Sequence, residues 1–411
     1  MLYHDIKKCR ICDGTDLAEV LDLGRHALSG RFSKKGEPDP LHAPLELVHC
    51  HECGLLQLRH TVVQSELYTD HYGYRSGINE AMVRHLTDIK DRVVAIAKPK
   101  MGDIVLDVGS NDGTMLKAYA TPGLVRIGID PILGHFRDHY PIDVVTVEDY
   151  FFATTFQAVG NGRKAKVITS IAMFYDLDDP NAFVADIRDV LHPEGIWIFE
   201  LSYMPEMLRQ NAFDTICHEH LEYYGLHQVE RLISAHGLRI FDVDFNEING
   251  GSFQVYACHV DGPYHSSQSK IDTVLKSEEE QNFNSLAPYH AFNKGIEAIR
   301  DRLVKVIRDE RAKGKQICAY GASTKGNTIL QYCGLDAKDI VAAADRNPEK
   351  WGCRTPGTGI PIISEEEARE ANPDYFLVLP WHFREGFLKR EKGFLQDGGH
   401  FIFPLPNVEV Y

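Results

Sequence analysis

The sequence lacks any apolar run long enough to cross a bilayer, and it has fewer basic than acidic residues. Its 411 residues include 44 Lys and Arg against 59 Asp and Glu, a net charge of −15. A membrane helix needs about 18–20 consecutive apolar residues, and the polar residues 1–5 contain no apolar signal core. An acidic surface repels phosphate backbones. We therefore predict a cytoplasmic protein that binds neither membranes nor nucleic acids.

The nine cysteines, an odd number in a large chain, do not indicate a disulfide framework. Four of them form two C-x2-C pairs, which are Cys9 with Cys12 and Cys50 with Cys53. Each pair places two thiolates at two corners of a tetrahedral zinc site, so we predict a closed, structural zinc site with these four ligands. His49 and His51 flank the second pair as alternative ligands. Four unrelated buried cysteines, or a redox pair, are the competing interpretations.

Hydrophobic patterns predict how the chain is organised. A helical pattern covers residues 79–97, and buried strands are predicted at 103–108, 125–129, 166–170 and 196–200. Alternating strands and helices predict a mostly parallel sheet, with ligands at the carboxyl ends of its strands. Residues 270–315 are interpreted as a solvated connecting helix.

The strand-turn-helix pattern then restarts. Strands are predicted at 316–320, 340–344 and 375–379, with a helix beginning at 327. The predicted fold class is therefore α/β with three domains. These are a zinc ribbon at 1–68, a central Rossmann-like domain at 69–270, and a linker helix with a second Rossmann-like domain at 271–411.

The first predicted strand of the central domain ends in a glycine turn, and the second ends at a carboxylate. An adenosine-bearing cofactor needs close backbone approach at such a turn and a carboxylate for its ribose hydroxyls. This turn is acidic, which disfavours a pyrophosphate but suits a cofactor that carries an amine and a sulfonium. We therefore predict S-adenosylmethionine (SAM) rather than NAD. The predicted cofactor residues are Asp107, Gly109, Asn111, Asp112, Gly113 and Asp130.

Residues 213–224 read Phe-Asp-Thr-Ile-Cys-His-Glu-His-Leu-Glu-Tyr-Tyr and closely resemble the signature of SAM-dependent sugar C-methyltransferases. That family acts on nucleotide-linked deoxysugars. The resemblance covers nearly the whole chain, through the ribbon cysteines, the SAM turn, residues 249–252 and a second glycine turn at 321–326. It implies that Glu219 and His220 are catalytic, together with a tyrosine after the ribbon, Tyr72 or Tyr74.

The chain departs from the family pattern at two positions. Family members have Tyr where this chain has Cys217, and they have an active-site His after the strand 166–170. We expect Tyr175 to replace that His as a hydrogen-bonding group.

The resemblance implies a nucleoside-diphosphate 4-keto-6-deoxy sugar as substrate, methylated through an enolate at C-3. We predict that His220 is the general base, because an imidazole titrates near neutral pH. Glu219 is expected to bind a sugar hydroxyl or orient an imidazole. A tyrosine hydroxyl, from Tyr72, Tyr74 or Tyr175, would donate to the enolate oxygen. His218 is expected to support the site. A catalytic metal is the weaker hypothesis, because the two imidazoles on one face of a strand lack a third ligand.

The second glycine turn has backbone amides, two hydroxyls and a lysine at a predicted helix N-terminus, which favour an anion such as the substrate diphosphate. It lacks the P-loop spacing. The predicted substrate residues are Gly321, Ser323, Thr324, Lys325 and Asp345. An NAD(P)H site with Asp345 at the ribose is an alternative, which would make a combined methyltransferase and ketoreductase. A second alternative is that the turn binds no ligand and serves packing alone.

Two further functions compete with carbon methylation. One is SAM-dependent O- or N-methylation of a small molecule, and the other is a zinc-ribbon interaction protein with relic Rossmann units. The intact Gly109 turn with Asp130, together with the His-Glu-His block, argues against the interaction protein. We expect a monomer or a small homo-oligomer.

Overall fold

The computed structural model describes residues 2–67 and 74–411, so the predicted site residue Tyr72 lies outside the described residues. The N-terminal segment is a small antiparallel β structure. Its elements are β1 (Tyr3–Asp5), β2 (Leu17–Ala27), β3 (Ser33–Lys34), β4 (His42–Cys50), β5 (Leu56–Leu58), β6 (His60–Val62) and α1 (Gln64–Leu67). β4 lies between β2 and β5, and the C-x2-C pairs flank this sheet.

The central segment forms a seven-stranded sheet in the order β13-β14-β11-β10-β7-β8-β9. Its elements are α2 (Glu80–Ala97), β7 (Ile104–Val108), α3 (Thr114–Ala118), β8 (Val125–Ile129), α4 (Leu133–Phe136), β9 (Val145–Val147), α5 (Ala153–Gly160), β10 (Ala165–Ile171), α6 (Pro180–Val190), β11 (Leu191–Ser202), α7 (Met204–Arg209), β12 (Glu222–Tyr223), α8 (Leu226–Ala235), β13 (Leu238–Asn246) and β14 (Ser252–His259). β7 to β11 are parallel, whereas β13 and β14 are antiparallel. The predicted strands and the mostly parallel sheet are confirmed.

Helix α2 shows how local sequence sets an element. The Asn79 side chain accepts a hydrogen bond from the amide of Ala81, which caps the first turn. Buried residues recur at helical spacing, which turns one face toward the sheet: Met82, Leu86, Ile89, Val93 and Ala97. Lys98 then adopts a left-handed conformation, with φ 47°, and ends the helix.

The C-terminal segment repeats the α/β plan with a six-stranded sheet in the order β18-β16-β15-β19-β20-β21. Its elements are α9 (Gln268–Glu280), α10 (Ala287–Ala312), β15 (Ile317–Tyr320), α11 (Thr324–Tyr332), β16 (Ala343–Asp345), β17 (Cys353–Arg354), β18 (Ile362–Ser364), α12 (Glu365–Glu370), β19 (Tyr375–Val378), α13 (Arg384–Arg390), α14 (Lys392–Gln396), β20 (His400–Phe403) and β21 (Glu409–Val410). All neighbours in this sheet except β20 and β21 pair in parallel.

The prediction of a solvated connecting helix at 270–315 is wrong. The region folds as two helices, α9 and α10, and α10 buries one apolar stripe in a large core: Tyr289, Phe292, Ile296, Ile299, Leu303 and Ile307. That core also contains side chains of the N-terminal ribbon and the C-terminal sheet. The charged residues of α10 occupy its exposed face, so charge alone misidentified the helix.

Strand pairing joins the three segments. β12 of the central segment adds to the ribbon sheet beside β5, and β17 of the C-terminal segment pairs with β3. Within the described ranges, no helix is both long and apolar enough to cross a membrane.

Candidate active site and metal centre

The four ribbon cysteines converge as their spacing predicts. Their sulfurs all lie within 4.8 Å of one another, and the Sγ–Sγ distances are 3.5 Å for Cys9–Cys53 and 3.6 Å for Cys12–Cys50. Zinc with Zn–S bonds near 2.3 Å separates its sulfurs by about 3.8 Å, so the donors fit a tetrahedral zinc ion. His49 points elsewhere, because its Nε2 donates to the carbonyl of Phe283 at 3.1 Å. The four cysteines therefore form a complete set of zinc ligands.

Arg10, inside the first C-x2-C pair, connects the metal centre to the central domain. Its guanidinium donates to the carbonyl of Leu58 at 2.7 Å. Its Nε lies 3.5 Å from a carboxylate oxygen of Glu222 and 3.7 Å from one of Asp178. Burial raises the pKa of Glu222, and the charge of Arg10 opposes that rise.

A cavity of about 330 Å³ opens at the carboxyl ends of β7, β8, β10 and β11. Among its described lining residues there is no Lys, Arg or His. Seven lining residues carry carboxylates: Asp107, Asp130, Asp176, Asp178, Asp179, Asp186 and Glu200. Such a cavity favours a cationic ligand over a pyrophosphate, as the sequence predicted, and the sulfonium and amine of SAM fit it.

Asp130 and Gly109, two of the predicted cofactor residues, both line this cavity. The Asp130 carboxylate accepts hydrogen bonds from the amides of Asn111 and Ile132, both at 2.9 Å, and its burial raises its pKa. Gly109 has φ 70°, and a Cβ there would approach Met173 Cγ to 2.9 Å. The turn therefore needs glycine both for its conformation and for space.

The side chains of two predicted cofactor residues, Asn111 and Asp112, hydrogen-bond to the backbone of residues 74–77, and Asn111 also lines the cavity. Asn111 donates from Nδ2 to the carbonyl of Tyr74 at 3.2 Å, and Asp112 accepts from the amide of Gly77 at 3.0 Å. Tyr74 lines the cavity and is 47% exposed. Gly113 begins α3 with φ 71°. Cofactor contacts from Asp112 and Gly113 stay predictions.

Asp107 ends β7 beside the turn. Its carboxylate accepts a hydrogen bond from the Thr169 hydroxyl at 2.5 Å. Burial raises the pKa of Asp107 to about 7. The charge on this cavity wall therefore changes near neutral pH.

Sequence reasoning missed Glu200, which lines the cavity at 2% exposure. Its carboxylate accepts hydrogen bonds from His85 at 2.8 Å, Asn246 at 2.9 Å and Gln254 at 2.7 Å. Glu200 ends a strand that the sequence predicted. A carboxylate at the carboxyl end of a parallel strand was the signal available.

The expectation that the His-Glu-His residues alternate on a strand is wrong. Residues 218–220 form a turn, closed by the amide of His220 donating to the carbonyl of Cys217 at 3.1 Å. His218 Nε2 donates to Ala43 in the ribbon at 3.0 Å, whereas His220 Nδ1 donates to Thr215 at 2.6 Å. The imidazoles therefore have different partners, and burial lowers the pKa of each to about 3. The expectation that His220 titrates near neutral pH is therefore wrong, because the ring is withdrawn from water.

His220 and Glu219 both retain acceptor atoms for a ligand. The ring of His220 packs edge-on against Tyr175, with centroids 4.4 Å apart, and its Nε2 is left with a lone pair. Glu219 is buried beside Gly30 of the ribbon, where a Cβ would come within 2.6 Å of Oε1, and Oε2 has no hydrogen-bond partner among the described residues. Burial raises the pKa of Glu219.

In the second glycine turn, the backbone groups of Ala322 are hydrogen-bonded to side chains of the same domain. Asp345 accepts from the amides of Ala322 and Asn347, both at 2.8 Å. Lys350 donates to the carbonyl of Ala322 at 2.8 Å. A Cβ at Gly321, where φ is 88°, would approach Pro380 Cγ to 2.7 Å.

The remaining residues of that turn contact their own helix, the ribbon and the central domain. The Ser323 side chain accepts from the amide of Gly326 at 3.0 Å and caps α11. Thr324 Oγ1 lies near Gly30 and Glu219. Lys325 Nζ donates to the carbonyl of Asn249, which lines the SAM cavity, at 2.8 Å.

A second cavity, of about 560 Å³, lies between the central and C-terminal domains. Its lining includes aromatic and basic side chains, among them Tyr203, Arg209, Phe245, Trp381, His382 and Arg384. Trp381 is itself buried and donates to Asp214 at 2.9 Å.

Comparisons with known proteins agree with this architecture. Family models match residues 9–68 as "Putative zinc binding domain", 78–243 as "Methyltransferase domain" and 247–406 as "C-methyltransferase C-terminal domain". The chain belongs to the family of SAM-dependent C-methyltransferases that combine these three parts. It is 31% identical over 417 residues to C-methyltransferase NovU of Streptomyces niveus, covering 100% of this chain and 98% of the relative.

Solved structures that resemble this chain include two methyltransferases, each matched over less than half of it. Mitomycin 7-O-methyltransferase MmcR is 14% identical with a TM-score of 0.36, over 44% of this chain and 55% of that one. Magnesium protoporphyrin IX methyltransferase from Synechocystis PCC 6803, with bound SAM, is 12% identical with a TM-score of 0.33, over 43% and 79%.

Proposed function

We propose that this enzyme methylates C-3 of a nucleoside-diphosphate 4-keto-6-deoxy sugar through an enolate. The observation that carries the proposal is the imidazole of His220. Its Nδ1 proton is held by the carbonyl of Thr215, and its lowered pKa keeps the ring uncharged at neutral pH. The free Nε2 lone pair then accepts a proton from a carbon beside a ketone. Bound SAM supplies the methyl group as an electrophile.

The neighbouring side chains suit a sugar. The unpartnered Oε2 of Glu219 accepts a hydrogen bond from a hydroxyl, and Thr324 adds a donor or acceptor beside it. The Tyr175 ring holds the plane of His220. His218, bonded to the ribbon, keeps a supporting role. A contribution from Tyr72 or Tyr74 remains a prediction.

The nucleotide half of the substrate is proposed to occupy the second cavity, next to the second glycine turn. Aromatic rings there suit a base, and the arginines suit a diphosphate. The alternative NAD(P)H site gains no support. Lys350 donates to the carbonyl of Ala322 in the second turn, and the side chain of Pro380 lies against Gly321, so protein atoms occupy the surface of the turn that a dinucleotide would need.

Two measurements with thymidine- and uridine-diphosphate 4-keto-6-deoxyglucose test the proposal. Mass spectrometry with SAM should show product with one added CH2. Without SAM, in D2O, the unreacted sugar should take up deuterium at the carbon beside the ketone. Methylated product without any exchange would contradict the enolate and favour transfer to oxygen or nitrogen.

Replacement of the base gives a quantitative test. His220→Asn keeps a polar side chain but has no basic nitrogen, so turnover should fall by about 10²–10⁴-fold. SAM affinity, measured by calorimetry, should change little. The neighbouring variant His218→Asn loses the bond to Ala43 and should cost less activity. An inactive His218→Asn beside an active His220→Asn would reverse the two roles.

A further inference from the structure

Lys325 is a cation without a close anionic partner at the boundary between the central and C-terminal domains. Its side chain is partly buried, and its Nζ donates to the carbonyl of Asn249 at 2.8 Å. Across the described residues, no Asp or Glu oxygen lies within 4.0 Å of Nζ. Lys350 in the same domain, by contrast, has Asp345 at 3.8 Å. Burial lowers the pKa of Lys325 and the charge of Asp214 opposes that fall, but Asp214 accepts a hydrogen bond from Trp381 at 2.9 Å and forms no direct ion pair with Lys325. Withdrawing an ammonium from water is costly unless an anion compensates it directly, so this position favours an anionic ligand.

The surroundings of Lys325 lead to the methyl-transfer site. Asn249, which receives its hydrogen bond, lines the SAM cavity. His220 packs on Tyr175, and the next residue, Asp176, lines the same cavity. His220 and Lys325 are both partly exposed among buried neighbours, so both remain accessible to a ligand. The two segments meet at Gly30, where a Cβ would lie 2.6 Å from Glu219 Oε1 and 3.9 Å from Thr324 Oγ1, and these residues directly precede His220 and Lys325. In agreement, the low pKa of His220 is caused first by burial and second by the charge of Lys325.

We propose that Lys325 stabilises the enolate oxygen of the substrate while His220 removes the proton from the adjacent carbon. This assignment rests on the proposed function. In the step, the C–H bond breaks and its proton forms an N–H bond at Nε2 of His220. The C–H electron pair becomes the C=C bond, and the carbonyl π pair moves onto oxygen. The two N–H groups that Lys325 does not give to Asn249 then face the new negative charge.

The positive charge acts on both partners of the proton transfer. It disfavours the imidazolium of His220, and it favours the enolate. The oxygen receives a direct, charge-assisted hydrogen bond, whereas His220 senses the charge through space, so the balance favours enolate formation. The C-terminal domain thereby contributes a catalytic group to the central domain.

The sequence predicted a different role, in which Lys325 binds the substrate diphosphate. The two roles have different kinetic signatures. A diphosphate contact is present equally in the ground state and the transition state, so its loss raises KM. A contact to the enolate oxygen strengthens as charge develops, so its loss lowers kcat and the rate of exchange.

The test uses the full chain and thymidine-diphosphate 4-keto-6-deoxyglucose at saturating concentration. Lys325→Met and Lys325→Gln remove the charge, and deuterium exchange without SAM should fall by about 10²–10³-fold, the usual effect of losing an oxyanion donor. KM should change little, and Lys325→Arg should restore part of the rate. Lys338→Met, at an exposed lysine of the same domain, is the matched control and should exchange normally.

A second measurement does not need the substrate. In Lys325→Met, the pKa of His220 should shift upward, because a nearby positive charge is gone. NMR of labelled histidine follows this shift, with His220→Asn identifying the resonance. An unchanged pKa would overturn the assignment.

The outcomes distinguish an error in the role assigned to Lys325 from an error in the proposed function. If Lys325→Met raises KM and keeps the saturating exchange rate, Lys325 binds the diphosphate and the assignment is wrong. If the unaltered enzyme methylates the sugar and Lys325→Met does so equally well, the assignment alone fails. If the unaltered enzyme neither exchanges nor methylates either sugar, the proposed function fails and the assignment fails with it.

Discussion

The two glycine turns have the same backbone design but different surroundings. In each turn, a carboxylate at the end of the second strand, Asp130 or Asp345, accepts two backbone hydrogen bonds at 2.8–2.9 Å. The first turn opens onto the acidic cavity. In front of the second, Lys350 donates to the turn and lies over the Phe32 ring at 4.6 Å.

The difference shows that a strand-turn-helix unit supplies a scaffold and not yet a ligand site. Phe32, which stands beside the second turn, comes from the N-terminal ribbon. The ribbon also receives a hydrogen bond from Asn327 of α11, which donates to Ser29 at 2.8 Å. Contacts from another domain therefore decide which turn remains open.

Of the changes considered, loss of zinc should alter the difference between the two turns most. Structural zinc contributes about 10–16 kcal/mol in small zinc domains, so Cys50→Ser should unfold the ribbon and lower thermal stability strongly. Hydrogen exchange should then increase more at the amide of Gly326, in the second turn, than at that of Asn111, in the first. Elemental analysis should find one zinc per unaltered chain.

Cys258→Ser, at a buried cysteine outside the metal centre, is the control and should retain zinc. A metal-free preparation with full stability would contradict the structural role of the zinc.

Removal of each carboxylate compares the turns directly. Asp130→Ala leaves the ribose hydroxyls of SAM without a charged acceptor, a loss of about 1.5–3 kcal/mol, so SAM affinity should fall about tenfold or more. Asp345→Ala should leave SAM affinity unchanged and lower the melting temperature, because Lys350 loses its carboxylate. Calorimetry and thermal unfolding measure the two effects. Equal losses of SAM affinity would mean that the turns are not functionally distinct.

A smaller difference between the two turns should appear in their response to pH, because the first has a carboxylate that titrates near neutral pH. Asp107, two residues before Gly109, has a pKa raised to about 7 by burial, whereas the second turn has Ala319 at that place. As pH rises through about 7 the carboxylate ionises, so affinity for cationic SAM should increase by at most about tenfold. Folding favours the protonated group, so its contribution to stability is fully present below the ordinary pKa of 3.8 and is lost as pH rises from there through about 7.

Asp107→Asn removes this titration and should flatten the binding profile. The comparison needs calorimetric titrations of both proteins below and above neutral pH. A pH-dependent affinity that survives the substitution would assign the titration to another group.

Features set by short stretches of sequence were predictable. The spacing of Cys9, Cys12, Cys50 and Cys53 gave the metal site, and a strand, glycine turn and second strand gave the position of Asp130. The prediction of a strand at His218 and His220 was wrong, because a spacing of two residues does not by itself determine a strand. Their turn is set by partners outside it, Ala43 and Thr215.

Contacts between distant parts of the chain were not predictable from local pattern. Lys325 reaches Asn249 across the domain boundary, and Glu200 is held by residues of three separate elements. Nothing in the residues around either position encodes these partners. They follow from packing of the three domains against one another.

The pairing of β12 with β5 has a consequence for biosynthesis. At about 5–20 residues per second, the ribosome makes β12 roughly 8–30 s after β5. Until then β5 presents an unpaired strand edge, which is a site for association with other chains. Expression conditions that slow synthesis of the central domain should therefore increase aggregation of the nascent protein.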